Sequence, residues 1–422
     1  MVNPGRDLEP MRILYFSHYF TPEGNAPARR VYEMCRRWVR SGHRVTVITC
    51  APNVPGGVVY EGYANPWIHR ETIEGIETIR VWTYLAANRG TLRRILNYLS
   101  YMVMAILAGL WREKPDVVIA TSPQFFCGWA GVWVSRLRRV PFILEIRDLW
   151  PESIAAVGAL RSPRLLALLE RWERGMYRAA TRIVTVGEGY RNQLRDRGVA
   201  VTRIAVVPNG VDRKAFAGAG NGADVRAEFG LGDAFVVSYV GTIGMGSGLD
   251  VVLRAAHRLR AESRDDVVFL LVGDGAVRGE LETRAREEGL ERVIFTGRRD
   301  KSRIPAYLAA SDACLVHLTD TDLFRSVMPS KIFEAAAMAK PVILGVRGFA
   351  AELVAEAEAG ICIEPENDGE LVDAVKRLAS DREAAAKMGE SGRERIAARF
   401  DYDELAIRYL AIVVEIAQGG EE

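Results

Sequence analysis

PSKIFEAAAMAKPVILG, residues 329–345, reads as a helix followed at once by a buried strand, and that join sets the fold class. Pro329 suits a helix opening, where its missing N–H costs nothing. The helix runs to about Met338 and Ala339, and the strand opens at Pro341. Ser330 and Lys331 then stand at a helix N-terminus, where hydroxyl, ammonium and free N–H groups converge on a diphosphate. Glu334 follows one turn later on the same face. A carboxylate there can accept two hydrogen bonds from a ribose diol. The same residues also fit a capped surface helix whose Lys331 and Glu334 pair in solvent.

Outward from this join, short β-branched runs alternate with amphipathic stretches. In the first half they lie at 12–17, 44–49, 77–82, 116–121, 141–146 and 182–186. In the second they lie at 235–240, 267–272, 292–296, 313–318 and 341–345. Strands alternating with helices predict an α/β protein with parallel sheets, and their near-continuous apolar character predicts cover on both faces. The halves part near VVPNGVDRKAF (206–216), and AGAGNGAD (217–224) follows. The reading is a first doubly wound, Rossmann-like domain over 11–208, a hinge over 209–224 and a second such domain over 225–399. The last helix, 400–418, is expected to pack back on the first domain.

A chain of 422 residues exceeds one ordinary core. With 49% hydrophobic and 26% charged residues it belongs with soluble globular proteins. Five scattered cysteines without a C-x-x-C pair predict neither a zinc site nor a disulfide framework, and fit a reducing compartment. Residues 1–10 read as a loose extension without secretory character, with Met11 a candidate start. The net charge of +2 hides an asymmetry. Residues 1–200 hold 28 basic against 17 acidic side chains, and residues 201–422 hold 28 against 37. The basic half, almost all arginine, suits phosphate oxygens or an anionic lipid surface, or is a solvated face with nothing bound. Nucleic acid is not expected, because the arginines form no aromatic-interleaved cluster.

ILNYLSYMVMAILAGLW (95–111), flanked by Arg93, Arg94 and Arg112, stands apart. It falls short of the roughly 20 apolar residues of a membrane span. Two readings remain: a buried covering helix, or a helix dipping into a bilayer face.

Five further stretches carry candidate chemistry. After the first strand, SHYFTPEGNAPARRVYEM places Gly24 and Asn25 before a helix N-terminus, without the G-x-G-x-x-G of dinucleotide binding. EIRDLWP (145–151) gathers Glu145, Arg147 and Asp148 at the carboxyl end of a buried strand, which is costly unless they are paired or used. YVGTIGMGSGLD (239–250) holds four glycines in eight positions, letting backbone approach a phosphate or simply forming a flexible turn. LVGDGAVRGEL (271–281) repeats that form, and FTGRRDKSRIPAYLAASD (295–312) offers a wall for a nucleobase.

Together these pieces, from about Met11 to Tyr409, resemble the retaining glycosyltransferases of family 4, which have the GT-B fold. EIRDLWPES with MPSKIFE looks most like the bacterial subgroup that adds N-acetylated deoxyamino sugars in O-antigen or capsule assembly, the N-acetyl-fucosamine transferase type. The resemblance implies two domains facing across a cleft. Glu334 matches the second acid of the family's E-x-seven-E motif, on the donor ribose. Val327, Met328, Pro329, Ser330 and Lys331 match the stretch that contacts sugar and diphosphate. Gly241, Thr242 and Gly244 fall on the donor loop, and Arg298 falls beside the base. Gly24 and Asn25 match the acceptor-side loop, joined there by Glu145 and Arg147. Asp148 matches the acid at the sugar end of the cleft and counts, with Lys331 and Glu334, as catalytic. The departures are specific. Arg147 replaces the usual histidine, Thr242 and Ser247 replace the cations on the diphosphate, and Ser326 replaces the first acid. Lys331 is expected to supply the lost cation.

The resemblance further implies a metal-free reaction with no cofactor, so Asp320-Thr321-Asp322 reads as a loop feature. The donor would be a UDP-sugar and the acceptor a polyprenyl-diphosphate-linked saccharide. The protein would be cytoplasmic, with peripheral contact to the inner membrane face through the basic first domain and residues 95–111. Two other classes stay open: a nucleotide-sugar 2-epimerase of the same fold, and a non-catalytic nucleotide-sugar-binding partner subunit.

Overall fold

The computed structural model describes residues 9–54, 56–85, 91–122, 124–149, 163–218 and 220–419. Most of the predicted 1–10 extension, and EIRDLWPES beyond Leu149, lie outside the described residues. The chain divides into two compact units. The first runs through Pro208 and takes up the chain again at Asp403, and the second is Asn209–Tyr402.

The first unit is an eight-stranded sheet in the order β3-β4-β2-β1-β5-β6-β7-β8. Its strands are β1 (Arg12–Phe16), β2 (Arg44–Cys50), β3 (Ile68–Ile73), β4 (Ile76–Val81), β5 (Val117–Thr121), β6 (Phe142–Ile146), β7 (Arg182–Thr185) and β8 (Ile204–Val206). All neighbours are parallel except β3 and β4. Every residue of β5 and β6 is buried, as strands covered on both faces require. Helices α1 (Ala26–Arg40), α2 (Thr91–Leu110), α3 (Phe125–Arg138), α4 (Pro163–Ala179) and α5 (Glu188–Asp196) make the crossovers.

The second unit is a six-stranded parallel sheet, β11-β10-β9-β12-β13-β14. Its strands are β9 (Phe235–Val240), β10 (Val267–Val272), β11 (Val293–Gly297), β12 (Ala313–His317), β13 (Val342–Gly345) and β14 (Gly360–Cys362). Residues 209–224 are not a bare linker: α6 (Arg213–Ala217) and the start of α7 (Ala223–Glu228) occupy them, and Phe216 and Val225 enter the second core. Beyond lie α8 (Asp250–Ala261), α9 (Arg278–Glu287), α10 (Ile304–Ala310), α11 (Ser330–Ala337), α12 (Phe349–Glu356), α13 (Asp368–Ser380) and α14 (Arg382–Gly392).

The last helix, α15 (Tyr402–Ala417), lies against α1 of the first unit. The Trp38 indole N–H donates to Ala406 O at 3.0 Å, and the Trp38 and Tyr409 rings meet edge to face at 5.2 Å. Arg37 pairs with Asp403 at 2.6 Å. On the other face α2 buries Tyr101 and Ala105, whereas Leu96, Val103, Leu107 and the following Trp111 stand exposed. It therefore covers the sheet on one side and leaves a second apolar face open. No described helix is long and apolar enough to cross a membrane.

Candidate functional site

In an open α/β sheet the ligand crevice lies outside the carboxyl ends of the strands, where the strand order reverses. In the second unit the chain starts at β9, adds β10 and β11 on one side, then returns to add β12, β13 and β14 on the other. The reversal falls between β9 and β12. From β9 issues the glycine turn 241–248, and from β12 the segment that enters α11. These are the two stretches the sequence marks for phosphate and ribose.

The geometry there is tight. Lys331 Nζ lies 4.8 Å from the centroid of the Tyr239 ring, a cation–π contact that holds the ammonium over the end of β9. The Tyr239 hydroxyl donates to Thr242 O at 2.7 Å, tying the turn back to the strand. Gly241 has φ +143°, and a Cβ there would come within 2.6 Å of Lys331 Cε. Only glycine leaves Lys331 this path. Gly241 N–H donates to Val272 O at 2.8 Å, so the ends of β9 and β10 are closed together. Pro329 caps α11 without a side-chain hydrogen bond. The capping residue thus takes none of the first-turn amides of that helix, and they stand beside Lys331. Glu334, half-buried, lies one turn further along. Val327 and Met328 link α11 to a 3₁₀ turn, Asp322–Ser326, with Val327 N–H donating to Phe324 O at 3.1 Å. Phe324 in turn packs against Gly246. Gly244 O accepts from the Ser247 hydroxyl. Arg298 is exposed immediately after β11. Asp320 and Asp322 pair with Arg347 at 2.8 Å and Arg325 at 3.3 Å.

In the first unit the reversal falls between β1 and β5. Asn25 is the cap of α1, its side-chain oxygen accepting from Ala28 N–H at 2.8 Å, with Gly24 just before it. Beside them Glu23 is buried and accepts from Asn53 N–H at 2.9 Å; burial raises its carboxyl, opposed by these amides and by Arg80. Glu145 corrects the sequence reading. It is fully buried and pairs with fully buried Arg30 at 3.0 Å, and its other oxygen accepts from the Thr121 hydroxyl at 2.8 Å. Burial alone would raise this carboxyl, but the guanidiniums of Arg30 and Arg147 outweigh it and hold it below the ordinary range. Arg30 also donates to Val207 O at 2.7 Å and Pro208 O at 2.5 Å, fixing the point where the chain leaves this unit. Glu145 is therefore a structural carboxylate, out of an acceptor's reach. Arg147 is buried, its N–H bonded to the Ser122 hydroxyl at 2.7 Å. Asp148 is exposed as a residue, yet the protein around its carboxyl raises it, with Arg147 opposing.

His18 stands just beyond the carboxyl end of β1. Its ring is buried among Tyr19, Tyr98 and Tyr101, with Nε2 3.1 Å from Asn97 Oδ1. Burial lowers its pKa to about 4, only partly offset by Asn97. The motif SHYF does not foretell this enclosure, because Tyr98, Tyr101 and Asn97 come from far along the chain.

Two family models together span most of the sequence. Residues 25–210 match the "Glycosyl transferase 4-like domain", and residues 223–395 match "Glycosyl transferases group 1". The chain belongs to the family 4, GT-B glycosyltransferases. Among relatives of this glycosyltransferase is the Escherichia coli K12 protein named for colanic acid biosynthesis, glycosyl transferase WcaI. It is 28% identical over 381 residues, covering 87% of this chain and 92% of that one. The 2-deoxystreptamine glucosyltransferase of Streptomyces kanamyceticus is 29% identical over 285 residues, covering 66% and 71%. The fold of Anabaena Alr3699/HepE, solved with UDP and glucose, superposes with a TM-score of 0.72 at 19% identity, covering 96% and 99%. That of WaaG, a glycosyltransferase of lipopolysaccharide biosynthesis, gives 0.68 at 18%, covering 97% and 100%. This glycosyltransferase thus shares its fold with both solved enzymes over nearly its whole length.

Proposed function

We propose that this glycosyltransferase is a retaining, metal-independent enzyme that moves a sugar from a UDP-sugar to a lipid-linked saccharide during cell-surface polysaccharide assembly. The observation that carries the proposal is Lys331. Its ammonium is fixed over Tyr239, against Gly241, beside the uncapped amides of α11. A diphosphate seated there meets one full positive charge and a helix N-terminus. Glu334 then accepts from the ribose diol, and Arg298 stands by the base. As the bond from the anomeric carbon to the diphosphate oxygen breaks, the charge left on that oxygen is stabilised by Lys331 and the amides. The acceptor hydroxyl attacks from the same face, forms the new glycosidic bond and passes its proton to the departing diphosphate. Asp148 stays on the acceptor side with Gly24 and Asn25.

A donor carrying an N-acetylated deoxyamino sugar agrees with Ser326, which removes an acid that would otherwise bind sugar hydroxyls. A polyprenyl-diphosphate acceptor, and peripheral membrane contact, agree with the open apolar face of α2 between Arg93 and Arg112. The test is transfer from a panel of UDP- and GDP-linked sugars to lipid-linked saccharides, read by mass spectrometry. Lys331→Ala is expected to lower the rate about 100-fold or more, the scale on which lost charge stabilisation acts. Wild-type rates for both Lys331→Ala and Glu334→Ala contradict the proposal. Change of the UDP-sugar without acceptor would point to an epimerase instead.

A further inference from the structure

His317 ends β12 and is almost wholly enclosed, at 1% exposure. Its Nδ1 lies 2.8 Å from Ser247 O, and its Nε2 accepts from Glu366 N–H at 2.8 Å. A backbone amide can only donate and a carbonyl can only accept, so the ring is neutral with its proton on Nδ1. The imidazole is held between two glycines far apart in sequence. A Cβ on Gly248, at φ +58°, would come 3.0 Å from the ring's Cε1, and a Cβ on Gly345 would strike Cδ2. The neighbouring segments add to the link: Thr319 N–H donates to Gly246 O at 3.1 Å, and Asp320 N–H donates to the Glu366 carboxylate at 3.1 Å. Glu366 itself sits at φ +63°, a left-handed backbone costly for a side-chain-bearing residue. It is held there by His317 and by Arg254, which donates to Glu366 O at 2.7 Å.

We propose that His317 is a positioning residue that fastens the glycine turn 244–248 to the segment entering α11 and to the loop before α13, and so sets the donor-diphosphate cradle without touching the donor. This rests on the donor reading of that cradle given above. Ser247 and its turn stand where the resembled family places a cation, so in this chain the turn's contribution is its backbone shape, and His317 holds that shape.

The experiment compares wild type with His317→Asn, whose amide nitrogen falls near Nδ1 and retains the bond to Ser247 O, and with His317→Leu, which retains neither bond. Two readouts are taken: amide hydrogen exchange across 241–248 and 364–367, and calorimetric binding of UDP. Faster exchange in both segments and at least ten-fold weaker UDP binding are expected for His317→Leu, with exchange in 244–248 and most of the affinity recovered in His317→Asn. Unchanged exchange in a folded His317→Leu overturns the proposal. So does equal damage by both variants, which marks loss of bulk rather than of the Ser247 bond. If wild type binds no UDP, the donor reading fails, and the exchange experiment still decides the role of His317.

Discussion

Glu145 shows what a single buried charge costs and what relieves it. Its carboxylate is stable only because Arg30, 115 positions earlier, arrives at 3.0 Å, and Thr121 takes the second oxygen. Removing it leaves the Arg30 guanidinium buried without its counter-charge, so Glu145→Ala is expected to cost about 3–5 kcal/mol in urea unfolding. Replacing both partners with apolar residues, Glu145→Leu with Arg30→Met, should recover a large part of that loss. A single variant as stable as wild type would mean that the pair does not sustain the unit. From sequence, the charges in EIRDLWP were legible as a group that had to be paired or used. Which alternative holds was not, because Arg30 lies on α1 and only the sheet order brings it under β6. Lys331 was legible, since its helix terminus and its chemistry are local; its Tyr239 platform was not.

At the level of elements, strands buried on both faces were readable wherever they formed continuous apolar runs. The three that escaped are β3, β8 and β14. The first is an edge strand with none of its six residues buried, and the other two have three residues each at the margins of their sheets. Edge strands need no two-sided burial and so lack the signal. Helix α2 kept both of its sequence readings, because its two faces differ. Tyr101 and Ala105 face the sheet, while Leu96, Val103 and Leu107 recur at helical spacing on the outside and end at Trp111, 78% exposed. Burying that stripe in a bilayer interface, with arginines at either end on anionic headgroups, predicts flotation with phosphatidylglycerol vesicles at low salt. Leu107→Glu should weaken the association about ten-fold or more while donor binding is retained. A wild type that binds neither anionic nor neutral vesicles would remove the membrane from the account.

Across the whole molecule, acid acts on both units through enclosed neutral histidines. The folded pKa of His18, about 4, lies below the 6.5 of an exposed imidazole, and burial also lowers that of His317. The unfolded chain therefore takes up these protons first. The stabilisation is complete above about pH 6.5 and is lost as pH falls toward the folded values. For His18 alone this amounts to about 2 kcal/mol by about pH 5. Scanning calorimetry should show the thermal midpoint falling between about pH 7 and about pH 5, and a flat profile would contradict the buried neutral state. The return of α15 to α1 has one further consequence, for biosynthesis. The sheet of the first unit is made before the second unit, yet the helix that covers Trp38 is made only after it. The nascent first unit must wait with that indole uncovered while the entire second unit is translated, so the second is complete in sequence before the first is.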